Sequence, residues 1–161
     1  MSNLLPLNYS QFKDLFATNE IYFLDFYADW CGPCRMMSPV LESFAGSPEF
    51  SGIKFAKVDV DSETEFGQEF GVRSIPAFFL VKFNGKGFEK IGNWVGGQDS
   101  LTFGDKILKT AKEYQTNSDN DNSKTQNNIA NFDRKNEENK EEIEEKSDES
   151  VRNLGSNSRE I

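Results

Sequence analysis

The chain carries two cysteines and no histidine in its 161 residues. Both cysteines fall in one run, Trp30-Cys31-Gly32-Pro33-Cys34, so thiol chemistry is concentrated at one place. The missing histidine removes histidine metal sites, Ser-His-Asp triads and His-activated cysteine nucleophiles. Half a zinc site would need two more soft ligands, which only a second chain could bring. A purely structural disulfide over so short a loop would restrict the unfolded chain very little. Two unrelated buried thiols would leave the intervening Gly-Pro without a reason. Reversible dithiol–disulfide exchange accounts for the whole run.

That chemistry needs a particular setting, and the flanking residues supply it. Ile21 to Ala28 is nearly continuous hydrophobics rich in aromatics, the pattern of a strand covered on both faces. Met37, Val40, Leu41 and Phe44 follow helical spacing. The cysteines therefore sit where a buried strand ends and a helix begins. There, free amide N–H groups and the helix macrodipole favour a thiolate on the first cysteine. Pro33 suits the first turn, because the N–H it lacks would be unpaired there anyway. Cys31 reads as the exposed nucleophile and Cys34, one turn in, as the thiol that resolves a mixed disulfide.

The other elements are legible from periodicity. Tyr9, Phe12, Leu15 and Phe16 fall at helical spacing, and Ile53 to Val60 reads as a strand. Ser62-Glu63-Thr64-Glu65 predicts a capping box opening a short helix through Phe70. Ala77 to Val81 and Phe88 to Ile91 flank Asn84-Gly85, a hairpin signal. Leu101, Ile107, Leu108 and Ala111 mark a last helix ending near Tyr114, and Leu4 to Leu7 forms a weakly signalled strand. Early alternation implies parallel pairing by crossover, and the closing hairpin adds an antiparallel edge. The class is α/β with a mixed sheet.

Composition bounds the rest. The charges, 27 acidic and 18 basic, give a net −9, which argues against a nucleic-acid groove. No run of 18 apolar residues exists, which argues against a membrane-spanning helix. Met1 to Leu7 has neither the basic nor the apolar region of a secretory signal, so the expected location is the cytoplasm. Twenty of the 21 aromatic residues lie in residues 1–114, the predicted folded domain. Residues 115–161 hold twelve acidic and seven basic side chains but only seven apolar ones. Such a segment cannot bury enough apolar surface to offset the entropy of ordering, so it reads as a disordered acidic tail.

The run from Phe23 to Pro39 resembles the signature of the thioredoxin family. So do Val58-Asp59-Val60-Asp61, Gly71-Val72-Arg73-Ser74-Ile75-Pro76 and the Asn84-Gly85 turn, in the family's order and spacing over residues 7–112. The resemblance implies a thioredoxin fold, with a central mixed sheet flanked by helices on both faces. It implies that Asp25 is a buried acid exchanging a proton with Cys34 through water, and that Lys57 tunes that acid. It also implies a cis-proline at Pro76, facing the disulfide, and substrate contacts from Trp30, Gly32, Pro33, Ile75, Pro76 and Gly92. Two positions depart from the family. Tyr27 stands where thioredoxins often carry Trp, and Trp94 comes after Gly92 where a small residue is usual. Trp94 reads either as an added substrate contact or as a core side chain, and the hairpin register near Phe83 reads as altered.

The function implied is reduction of protein disulfides through Cys31 and Cys34, by a monomer in which the redox-active disulfide itself serves and no bound cofactor or metal is needed. The implied partners are disulfide-containing proteins as substrates and a thioredoxin reductase as electron donor. Two other readings stay open: a thioredoxin-fold binding or adaptor subunit, and a specialised reductase directed to one partner by its tail.

Overall fold

Ile21–Tyr27 forms a strand with hydrogen-bonded neighbours on both sides and near-continuous burial, as its unbroken apolar run requires. Around it the computed structural model, which describes residues 2–119, arranges a five-stranded mixed sheet. In chain order the elements are β1 (Leu5–Pro6), α1 (Tyr9–Asp14), β2 (Ile21–Tyr27), α2 (Gly32–Ala45), β3 (Ile53–Asp59), α3 (Thr64–Glu69), β4 (Ala77–Phe83) and β5 (Phe88–Val95). A last helix, α4, begins at residue 103. The strand order is β1-β3-β2-β4-β5. β3 runs parallel to β1 and β2, whereas β4 is antiparallel to both β2 and β5. Among the described residues no helix is long and apolar enough to cross a membrane.

The period-two alternation of the strands sorts side chains between two cores. Phe23, Phe55, Phe78 and Leu80 join Met37, Leu41, Phe103 and Ile107 in the core under α2 and α4. Leu24, Phe26, Val58, Phe79 and Val81 join Phe12, Phe66 and Phe70 in the core under α1 and α3. Phe12 is fully buried there and packs against Phe66, Phe70, Phe83 and Phe88 with ring centroids 4.7–5.5 Å apart. By this alternation Asp25 falls in the phase of Phe23, and Lys57 in the phase of Phe55. Both charged residues are therefore carried on the α2 side of the sheet.

Four local details differ from the sequence expectation. The predicted capping box at Ser62 is absent: α3 begins a residue after Glu63, which makes no side-chain cap, and the Ser62 hydroxyl donates instead to the Asp59 carbonyl at 3.4 Å. A complete box occurs at α1, where Asn8 Oδ1 accepts from Gln11 N at 2.8 Å and Gln11 Oε1 accepts from Asn8 N at 3.0 Å. The hairpin closes at the pair Phe83 and Phe88, so its loop is residues 84–87 rather than Asn84-Gly85 alone. Asn84 Oδ1 accepts from the N–H groups of Lys86 and Gly87, and Gly85 takes the positive φ of 86° that the turn demands. The register shift lies between Leu80 and Val81, opposite Ile91, three residues before the expected place.

The chain divides into two units, Met1–Tyr114 and Gln115–Ile161. Residues 115–119 of the second unit are helical, beyond the helix end expected near Tyr114. Once nucleated, a helix gains one hydrogen bond for each residue it adds, so polar residues can prolong it. The rest of the predicted tail lies outside the described residues. Asn8→Ala is expected to lower unfolding free energy by about 1 kcal/mol, while Ser62→Ala changes it by less than about 0.5 kcal/mol. Paired denaturant midpoints measure the contrast, and equal losses would contradict the cap assignment.

Candidate active site

Cys31 is the N-cap of α2, with Gly32 and Pro33 filling the first helical positions. This is the strand-to-helix junction that the apolar patterns predict. Cys31 and Cys34 are joined in a disulfide with their Cα atoms 5.3 Å apart. The Cys34 N–H donates to Cys31 Sγ at 3.3 Å, the place of a capping oxygen. An amide so aimed favours negative charge on Cys31 once the bond is reduced. Exposure, however, does not distinguish the cysteines as the sequence reading expects, because each is only 4% exposed. Ala28 clusters with the two cysteines, Val60 and Ile75 pack against that cluster, and the asymmetry between the sulfurs is electrostatic.

On the inner side of the pair lies Asp25, the one buried charged residue among those described, at 3% exposure. Its Oδ1 has no hydrogen-bond partner. A cavity of about 170 Å³ joins Asp25 to Cys34, with Lys57, Tyr27 and Ser38 also in its wall. A polar cavity of that size has room for water between the groups. Lys57 is the parallel-strand partner of Asp25 and is half-buried, with its ammonium 5.6 Å from the centre of the Tyr27 ring. Burial pushes the Asp25 carboxyl up to about 7, and the Lys57 charge pulls against that shift without overcoming it.

On the outer side, Trp30 is 67% exposed and its indole N–H donates to Asp61 Oδ2 at 3.0 Å. Trp30 and Ile75 line opposite parts of a cleft of about 260 Å³, together with Val60, Val72 and Arg73. The Ile75–Pro76 peptide bond is cis, as the resemblance implies. Asp61, the last residue of the Val58-to-Asp61 motif, holds the tryptophan, a role that its place in the sequence does not disclose.

Gly92 requires a correction. It pairs with Leu80 in the middle of the β4–β5 ladder, four residues along β4 from Pro76. The glycine beside Pro76 is Gly96: its N–H donates to the Pro76 carbonyl at 2.8 Å, and its φ is 84°. β5 runs on to Val95, so Gly92 falls within the strand and the chain reaches Pro76 only at Gly96. Gly92 serves packing, since a Cβ there would lie 2.6 Å from Trp94 Cη2. Trp94 itself packs edge-on against Phe103, with centroids 5.5 Å apart, which makes it a core side chain. The Gly96-Gly97 pair that follows β5 is the signal that could have located this glycine.

Among the described residues, no group of three His, Cys, Asp or Glu side chains is placed to hold a metal ion. A disulfide at a helix N-terminus, backed by a buried carboxyl and packed against Ile75 of a cis Ile75–Pro76 bond, defines a dithiol–disulfide oxidoreductase on a mixed sheet. Residues 3–113 match the thioredoxin family. The thioredoxin of Malassezia sympodialis is 40% identical over 93 residues, covering 58% of this chain and 85% of that one. Its crystal structure superposes with a TM-score of 0.59 at 33% identity, over 68% of this chain and 92% of that one. A bifunctional thioredoxin reductase/thioredoxin of Mycobacterium leprae is 45% identical over 73 residues, 45% of this chain and 16% of that protein. The chain belongs to the thioredoxin family, and it is a thiol–disulfide oxidoreductase that reduces protein disulfides.

The raised Asp25 titration has a consequence for stability. The folded state binds its proton more tightly than the unfolded chain, whose carboxyl keeps the ordinary 3.8. Stability therefore falls as pH rises from about 4 through about 7. In the oxidised protein, Asp25→Asn is expected to stabilise by on the order of 2–4 kcal/mol at pH 8. The gain should shrink toward zero at pH 4. Denaturant titrations at the two pH values measure it, and a gain independent of pH would rule out the buried ionisation.

Proposed function

We propose that the chain is a cytoplasmic, monomeric reductase in which Cys31 attacks and Cys34 resolves, with Asp25 as the proton partner of Cys34. The Cys31 thiolate attacks one sulfur of a target disulfide; that S–S bond breaks, and the second target sulfur leaves as a thiolate. Cys34 then passes its proton across the cavity to the Asp25 carboxylate and attacks Cys31 Sγ. The Cys31–target bond breaks, leaving the target reduced by two electrons and the Cys31–Cys34 disulfide formed. The observation that carries this division is the geometry of the pair: the Cys34 N–H points at Cys31 Sγ, whereas Cys34 shares a cavity with Asp25.

A carboxyl titrating near 7 suits both halves of that exchange, since it gives and takes a proton with little bias at neutral pH. Lys57 tunes it by opposing its upward shift. An extended target segment runs beside Ile75, with Trp30, Gly32, Pro33 and Pro76 as further contacts. The redox-active disulfide carries the electrons, so no bound cofactor takes part. A thioredoxin reductase supplies them, a reading supported by the reductase/thioredoxin fusion among the relatives.

Cys31→Ser is expected to abolish reduction of a generic disulfide protein, whereas Cys34→Ser accumulates a covalent mixed disulfide. Asp25→Asn slows single-turnover resolution at neutral pH by about tenfold or more. Gel analysis under non-reducing conditions and stopped-flow kinetics read these effects. Faster alkylation of Cys34 than of Cys31 in the reduced wild type would reverse the roles.

A further inference from the structure

The cavity between Asp25 and Cys34 contains a hydroxyl that the proposed exchange does not use. Ser38 lies one helical turn beyond Cys34 on α2, and residues four apart on a helix share a face, with Cβ atoms about 5–6 Å apart. Ser38 is half-buried and lines the cavity with both partners of the proton exchange. A serine inside a helix ordinarily turns its hydroxyl back to a carbonyl of the preceding turn. Thr110 does so on α4, donating to the Lys106 carbonyl at 2.8 Å. Among the described residues Ser38 makes no such bond, so its hydroxyl is available to the cavity. In the wall of the same cavity, Asp25 Oδ1 is buried and unpartnered.

We infer that Ser38 is a positioning residue, whose hydroxyl orders the proton path between the Cys34 thiol and the Asp25 carboxylate. A hydroxyl can accept one hydrogen bond while donating another, which is what a link in a proton path must do. The Cys34 proton moves toward the Ser38 side of the cavity as the hydroxyl, directly or through one water, donates toward Asp25. When transfer is complete, Cys34 is a thiolate, Asp25 is protonated, and Ser38 has regained its own proton. Donation toward Asp25 favours its charged form, so the hydroxyl opposes the effect of burial. The other ionisable groups facing the cavity are Tyr27 on β2, Asp29 after it, Lys57 on β3 and Arg35 on α2. Tyr27 stays protonated through neutral pH, because burial and its acidic neighbours Asp59, Asp29 and Asp25 push its phenol upward. Asp25 and Cys34 are the partners of the proposed exchange that the pH profile reads.

The inference rests on the proposed role of Asp25, and the test separates the two. Single-turnover resolution of a mixed disulfide is measured from pH 5.5 to 9 in full-length wild type, Ser38→Ala, Ser38→Thr, Asp25→Asn and the Asp25→Asn/Ser38→Ala double variant. The Asp25 carboxyl is titrated in parallel by carbon NMR in the oxidised proteins. Alanine is a better helix former than serine, so Ser38→Ala retains α2. The expected result is resolution about fivefold slower at pH 7, the worth of one hydrogen bond. The Asp25 midpoint also moves to higher pH, and Ser38→Thr recovers both. In the Asp25→Asn background, Ser38→Ala has no further effect. Superimposable profiles for Ser38→Ala and wild type would overturn the Ser38 role alone, as would an equal loss in both backgrounds. An unchanged profile in Asp25→Asn would overturn the Asp25 reading and the Ser38 role with it.

Discussion

A strand bonded along both edges and covered on both faces cannot rotate, slide or flip without breaking two ladders and opening two cores. β2 is such a strand, paired to β3 through all seven residues and to β4 through six of them. A one-residue slip would send Phe23 and Leu24 to the wrong cores and turn Asp25 away from α2. The burial that fixes β2 also fixes the start of α2, because Cys31 is only four residues beyond the strand's end. The position of the disulfide is thus inherited from the hydrophobic packing of a strand whose one charged residue is Asp25.

The same constraint explains how one carboxyl comes to titrate near neutrality. Desolvation by the packed faces raises Asp25, and an ammonium within reach limits the rise. Neither effect alone would place the group in the useful range. An exposed aspartate would stay charged at neutral pH and would bind no proton, while one wholly isolated from charge would rise further and hold its proton too firmly. β3 carries the moderating lysine because parallel pairing sets Lys57 against Asp25. Sheet register therefore acts on proton affinity as directly as on packing.

The two cysteines divide along a boundary between helix field and buried cavity. At Cys31 the field of α2 and the Cys34 N–H act on the sulfur, and Trp30 and Ile75 shape the outer approach. At Cys34 the neighbours are the carboxyl and the polar cavity. Two residues of identical chemistry, equally buried, are made unequal by which side of one helical turn they occupy. The aromatic pairs of Phe23 with Phe55, Phe78 and Phe103, and of Phe26 with Phe79, tie β2 to β3, β4 and α4.

Local physics was sufficient for much of this, and the sequence by itself determined it. A continuous apolar run makes a buried strand wherever it occurs, and Gly-Pro after Cys31 makes a helix start. Together these placed Cys31 and Cys34 at the strand-to-helix junction, while Asp25 was marked by the family resemblance. What depended on distant residues was decided only by tertiary structure. The cap forms at Asn8, and none forms at Ser62, where α3 begins after Glu63. The glycine beside Pro76 is Gly96 and not Gly92, because β5 runs as far as Val95 before the chain reaches the Pro76 carbonyl. The equal burial of the cysteines depends on Val60 and Ile75, which lie about 30 and 45 residues further on. Periodicity reports the face to which a residue points; which other residue waits there is settled when the strands pair.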